Sequence, residues 1–219
     1  MHRAVVMISK APGVDACKTR LIPPLTKETA NALQAALIQD IWMHIAPSSR
    51  YDCWIATPSF EGVPYFDSLT SHLLVQRGNT LGRRMHHIAK TLFARGYDRV
   101  VLIGSDMPWM THALLDTAIA HLDTVPCVLG PAEDGGYYLI GLTPAAPHVF
   151  DDIPWGTQRV LADTLQRLAT TKTPFALMEP HRDIDRWSDV VFYAQAVSVR
   201  LPHFNRWWLR HGSDVDVKA

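Results

Sequence analysis

The sequence predicts an α/β protein: a single three-layer α/β/α domain around a mixed, mainly parallel sheet. Three observations carry that expectation. Apolar, β-rich runs alternate with helical stretches along most of the 219 residues. One run, Val100-Val101-Leu102-Ile103, has no polar face, as a central parallel strand requires. Two late runs, 125–129 and 136–142, follow each other without a helix between them, which breaks strict alternation and makes the sheet mixed.

The elements follow in order. Ala4 to Ile8 reads as a buried strand that enters a loop at Lys10-Ala11-Pro12-Gly13, and the loop runs through Lys18-Thr19-Arg20-Leu21 to Pro23-Pro24. Thr26 and Glu28 open a helix over 26–45, with Ala30, Leu33, Leu37, Ile41 and Ile45 on one face. Strands are predicted at 51–56 and 72–76, then a helix over 81–95 that Gly96 stops. The strand at 100–103 ends in Gly104-Ser105-Asp106-Met107-Pro108. Beyond it come a helix at 112–122, the two late strands around the turn Glu133-Asp134-Gly135, a helix at 157–170 and a strand at 175–178. Arg182-Asp183-Ile184-Asp185 leads into a last helix at 187–199. The domain is therefore placed at 1–200, with 201–219, which holds Trp207, Trp208 and Arg210, as a C-terminal tail.

Composition narrows the function. Lys+Arg and Asp+Glu are both 21, a formal net charge of zero, which argues against a nucleic-acid partner. Cys17, Cys53 and Cys127 form no CxxC pair, so neither a disulfide scaffold nor a zinc ribbon is expected, and a reducing cytoplasm fits. The longest nearly apolar stretch, Val190 to Val199, is too short to span a membrane, and the opening residues lack a secretory core. A cytoplasmic protein is expected, with oligomerisation left open. None of the 11 histidines is assigned to a metal.

Ligands of open α/β sheets bind beyond the carboxyl ends of strands. Three charged loops follow strands here: Lys10 to Arg20, Ser105-Asp106, and Arg182 to Asp185; a fourth, Asp134-Gly135-Gly136, precedes one. The first is cationic and suits phosphate, with Lys as a point charge and Arg as a fork. The acidic loops suit a hard divalent cation, and the two-residue spacing of Asp183 and Asp185 puts both side chains on one side of an extended segment. Gly13 to Thr19 misses the phosphate-loop pattern by one residue and by Cys17, and the glycine fingerprint for dinucleotides is absent. Plain structural roles compete. Asp106 could cap the helix from 112, Asp183 or Asp185 the last helix, and Asp134 could only make a turn. Lys18 and Arg20 could belong to a solvated loop, Trp155 suits stacking or packing, and Lys18 should lower the pKa of Cys17.

A more specific signal is distributed along residues 4–190. Lys10-Ala11-Pro12 with Lys18-Thr19-Arg20-Leu21, Gln76 with Leu81-Gly82-Arg83-Arg84-Met85, Gly104 to Pro108, the run Leu129 to Leu142, Ile153-Pro154-Trp155 and Asp183-Ile184-Asp185 occur in this order. In these motifs the chain resembles a bacterial glycosyltransferase-like family that includes proteins of arsenosugar biosynthesis, within the nucleotide-diphospho-sugar transferase superfamily of GT-A fold. The resemblance implies sugar transfer from a nucleotide-diphosphate donor to an unknown acceptor, with a Mg or Mn ion. Nucleotidyl transfer with release of pyrophosphate, or nucleotide binding without catalysis, are the alternatives. By position it implies Lys10, Pro12, Lys18, Arg20 and Ser105 for nucleotide and phosphates, helped by loop amides from Ala11 to Cys17. It implies Asp106, Asp183 and Asp185 for the metal, Gly135, Gly136 and Trp155 for the donor or acceptor pocket, and Asp134 as an acceptor-side base. The chain departs from the family at Asp15, where Gly is usual, at Gly156, where Ser is common, and after Asp185, where Arg186-Trp187 replaces Thr-Pro. Asp15 is expected to repel phosphate, so that Asp15→Gly should tighten binding.

Overall fold

The computed structural model describes residues 2–46, 48–146, 148–196 and 200–212. Seven strands form one sheet: β1 (Arg3–Ile8), β2 (Asp52–Thr57), β3 (Leu73–Val75), β4 (Arg99–Ile103), β5 (Cys127–Pro131), β6 (Tyr137–Leu142) and β7 (Phe175–Leu177), in the order β3-β2-β1-β4-β6-β5-β7. Every neighbouring pair is parallel except β4–β6 and β5–β6, so β6 alone runs backwards. The chain leaves β1 on one side for β2 and β3 and returns on the other side as β4. That reversal of direction between β1 and β4 makes a crevice at their carboxyl ends.

Helices cover both faces: α1 (Lys27–Ile45), the short α2 (Val63–Phe66), α3 (Leu81–Ala94), α4 (His112–His121), α5 (Val160–Thr170), α6 (Trp187–Gln195) and α7 (Pro202–His211). Alternation along the central strands decides which residue meets which layer. Val5, Met7, Val101 and Ile103 pack with Ile38 and Ile41 of α1 and Leu115 and Ile119 of α4. Ala4, Val6, Val100 and Leu102 pack with Ile88 and Leu92 of α3 and Leu168 of α5. The fold class expected from the sequence is what the structure has.

One boundary changes. The segment from 201, read as a tail, contains α7, which packs on the outer side of α1. Phe204 and Trp207, one helical turn apart, are buried with Leu33, Leu37 and Val190. Asp40 of α1, fully buried, accepts the Phe204 and His203 amides at 2.8 and 3.0 Å. It thereby satisfies donors at the start of α7 and sets a carboxylate against that helix's positive end. Burial raises the pKa of Asp40, against those two bonds. The last predicted helix ends at Gln195, and its end at 197–199 lies outside the described residues, as does 213–219.

Candidate active site

The backward course of β6 explains why four loops scattered in sequence meet. The turn before β6 lies at the same sheet edge as the ends of β1, β4, β5 and β7, since Ile103 pairs with Leu139 and Pro131 with Tyr137. The segment after β7 is stitched in place: His181 N–H donates to Pro131 O at 3.0 Å, Glu133 N–H to His181 O at 3.1 Å, and Ile184 N–H to Asp106 O at 2.8 Å.

The loop after β1 is compact. Asp15 accepts the Ala11 amide at 2.7 Å, and the Asp15 amide donates to Ala11 O at 2.9 Å, closing a turn through Gly13 at φ 82°. Asp15 is therefore an organiser of the loop, a role that the expectation of a repelling charge did not include. The Ala11, Val14 and Asp15 amides are consumed inside the loop and are not offered to a ligand. Pro12 lines neither of the two cavities described below. Lys10 does, and its ammonium donates to Ala16 O at 2.7 Å.

Lys18 and Arg20 are each paired with a carboxylate, Lys18 in the interior and Arg20 at the surface. Lys18, in the left-handed region at φ 48°, has a side chain only 4% exposed; its ammonium lies 2.6 Å from Asp106 and donates to Ile184 O at 2.5 Å. Arg20 pairs with Asp185. These two bridges staple the cationic loop to both acidic ones. Ser105, buried, accepts from Gln34 Nε2 at 2.8 Å. Cys17 is pushed up to about 11, because burial outweighs Lys10 and Lys18, so the expected lowering does not occur.

The competing structural roles are resolved by the caps. Thr111 caps α4, so Asp106 does not. Asp189 accepts the Arg186 and Asp185 amides at 2.7 and 3.1 Å at the start of α6, which leaves Asp183 and Asp185 free of capping. Asp134 does make its turn, accepting Gly136 N–H at 2.8 Å. Gly135 at φ 92° is obligatory there, since a Cβ would lie 2.1 Å from Gln158 O. That same turn brings carboxylate oxygens of Asp134, Asp183 and Asp185 within 4.8 Å of one another. Trp155 packs: a Cβ at Gly82 would lie 2.4 Å from its indole, and Tyr137 and Phe150 flank it.

Two cavities meet at Asp183 and Asp185, and Asp134 lines the larger of them. One, of about 440 Å³, sits over the ends of β1 and β4 and is walled by Ile8, Leu102, Leu139 and Ile140 with Ser105 and Lys18 at its rim. The other, of about 740 Å³, lies between the Asp134 turn, Trp155 and the start of α6. They share Arg20, Leu81, Tyr137, Asp183 and Asp185. The carboxylates repel one another: burial first, then Asp134, Asp185 and Asp106, raise Asp183 to about 7, and burial and Asp106 raise Asp185. An all-oxygen donor set under such repulsion fits a hard divalent cation.

A family model for an uncharacterised protein conserved in bacteria, DUF2064, matches residues 29–157. That is more than half of the chain. The chain belongs to the DUF2064 family. Among solved structures, it is 30% identical to a protein from Desulfovibrio desulfuricans G20 assigned provisionally as a nucleotide-diphospho-sugar transferase, with TM-score 0.88 over 98% of this chain and 97% of that one. A cytidylyltransferase from Leptospira borgpetersenii shares the fold at TM-score 0.56 and 13% identity, covering 100% of this chain and 99% of that one. So does Rv0371c of Mycobacterium tuberculosis, solved in complex with manganese, at TM-score 0.51 and 12% identity over 90% and 100%. No curated protein matches. This DUF2064 member has no helix among its described residues long and apolar enough to cross a membrane.

Sequence reasoning missed Gln34 and Arg84, which line the smaller cavity, and the grouping of Asp134 with the late aspartates. A glutamine interrupting the apolar stripe of α1 was the available signal for Gln34. For Arg84 it was the motif Leu81 to Met85. The short connection between the two late runs signals their antiparallel course, but nothing local shows that the segment after β7 returns to the same edge, and that is what joins Asp134 to Asp183.

Proposed function

We propose that this chain is a metal-assisted transferase that moves a sugar from a nucleotide-diphosphate donor to an acceptor. The observation that carries the reading is the position of Asp183 and Asp185 at the junction of two cavities, one walled by apolar strand residues and one more polar, with Asp134 beside them on the wall of the larger. The walled cavity suits a nucleoside, the open one suits the sugar and acceptor, and the diphosphate then lies over the carboxylates. Asp134, Asp183 and Asp185 would hold a Mg or Mn ion, which neutralises charge growing on a leaving diphosphate. Asp134, expected as an acceptor-side base, is reassigned to that ion. Asp106 serves as counter-ion to Lys18, and Lys18 and Arg20 border the phosphate path once the carboxylates have another cation. Ser105, held by Gln34, offers a hydroxyl at the cavity rim. Gly135 and Gly136 shape the turn, and Trp155 fixes the start of α3 against the larger cavity.

The likeness to the Desulfovibrio protein and the resemblance to the arsenosugar-biosynthesis group support sugar transfer. The cytidylyltransferase fold supports a second reading, nucleotidyl transfer, because the same junction could hold a triphosphate. Products separate the two. Incubation with Mn and a panel of nucleotide sugars should release a nucleoside diphosphate. Release of pyrophosphate from a nucleoside triphosphate and a sugar phosphate would favour the second reading instead.

A further inference from the structure

The cations around the smaller cavity fall into two classes. Lys18 and Arg20 are each bound to a carboxylate. Lys10 and Arg84 also line the cavity, and among the described residues no carboxylate lies within ion-pair distance of either; Lys10 is a point charge that donates to Ala16 O at 2.7 Å, whereas Arg84 presents a fork. Its setting is built. The guanidinium Nε donates to Gly78 O at 3.1 Å, which fixes the plane and leaves both terminal nitrogens without an acceptor among the described residues. Gly78 stands at φ 133°, and a Cβ there would lie 2.7 Å from the Arg83 side chain and 3.0 Å from Arg84 N, so only glycine lets this loop fold over the start of α3. Thr80 caps the helix through Arg83 N–H, and Trp155 wedges against Gly82. Loop, cap and wedge together hold the arginine stem at the cavity wall, half-buried.

We propose that Arg84 is the anion-receiving group of the smaller cavity and grips the phosphate oxygens of the nucleotide through its two terminal nitrogens. The proposal rests on the nucleotide reading above. A fixed guanidinium fork without a carboxylate matches two phosphate oxygens in geometry and charge. It needs no exchange of partners, unlike Lys18 and Arg20, so it meets the anion first. The shared chemistry is a phosphoanhydride, either as free pyrophosphate or as part of a nucleotide.

The test is calorimetry with Mn present, using inorganic pyrophosphate and, in parallel, the four common ribonucleoside diphosphates. Arg84→Met should weaken pyrophosphate and the preferred diphosphate tenfold or more, equivalent to about 1.4 kcal/mol. Arg84→Lys, which keeps the charge and loses the fork, should fall between, and it serves also if Arg84→Met folds poorly. Loss for the nucleotide alone would assign Arg84 to the nucleotide's own phosphate; loss for both would assign it to any phosphoanhydride, and either result supports the role. Binding of Mn alone should stay unchanged, because Arg84 touches none of the three carboxylates. Phosphate affinities within twofold of the parent in both variants, or a parallel loss of Mn binding, would overturn the assignment. If the parent itself binds no phosphate compound with Mn, the nucleotide reading falls, and this inference with it.

Discussion

Replacing Lys18 by Met should weaken the fold and strengthen the metal site at once. The side chain is 4% exposed and its ammonium serves two acceptors, Asp106 at 2.6 Å and Ile184 O at 2.5 Å. Charge-assisted hydrogen bonds contribute about 1.5–3 kcal/mol each. Met fills the same space and recovers the desolvation of the ammonium, and Asp106, 43% exposed, is resolvated by water, so the net loss is set at about 2 kcal/mol. For a chain of this size each kcal/mol shifts Tm by roughly 2–4 °C, giving a fall of about 4–8 °C. The ammonium also opposes a divalent ion at the neighbouring carboxylates. At ~6 Å and the dielectric of water that repulsion is about 1.4 kcal/mol, so Mn should bind about tenfold tighter to Lys18→Met. Thermal unfolding by circular dichroism and calorimetric titration of Mn at low salt read the two effects. An unchanged Tm, or Mn binding that weakens, would refute the ion-pair account.

Asp183→Asn and Asp134→Asn should each cut Mn affinity at least tenfold while Asp189→Asn, which alters the cap of α6, should lower Tm by about 2–4 °C and leave Mn affinity within twofold; calorimetry and thermal melts on the three variants check the partition. In the metal-free protein burial, then the neighbouring carboxylates, raise the pKa of Asp183 from 3.8 to about 7. The folded state therefore binds the extra proton, and this group's contribution to stability is full below about pH 4 and lost as pH rises through 7. Asp183→Asn should flatten the fall in Tm between pH 5.5 and 7.5, and parent Mn affinity should drop about tenfold from pH 8 to pH 6 as the proton competes. Asp15→Ala should weaken nucleotide binding, since the Ala11 amide loses its acceptor; tighter binding, by calorimetry, would restore the view of Asp15 as a repelling charge. Phe204→Ala should cost about 3–5 kcal/mol in urea unfolding, because the ring is fully buried against α1; a loss under 1 kcal/mol would return α7 to the status of a tail.

The sheet and its flanking helices were legible because each rests on local periodicity: an apolar run for β4, a 3.6-residue stripe for α1. Helix α7 escaped because its buried face is only Phe204 and Trp207 in a segment that mixes exposed apolar residues such as Leu209 with Arg206 and Arg210, and its docking depends on Asp40, 163 residues away for the His203 amide. The candidate site was legible loop by loop, through Lys18, Asp106, Asp134 and the Asp183/Asp185 pair. The pairing among them was not. Lys18 reads as a free cation in sequence and becomes a counter-ion because Asp106, in the loop after β4, and Ile184, in the segment after β7, both reach it. Asp15 reads as a surplus charge and becomes a turn acceptor because an amide four residues earlier lacks another partner in the loop.

The central claim is that carboxylates at the junction of the two cavities hold a divalent ion that binds a nucleotide diphosphate. The most direct measurement is calorimetric titration of nucleoside diphosphates into the parent and into Asp183→Asn, each with and without Mn. The account predicts that at least one diphosphate binds the parent only with Mn and that Asp183→Asn abolishes this dependence together with the binding. Binding that is equal with and without Mn, or that survives intact in Asp183→Asn, would contradict it.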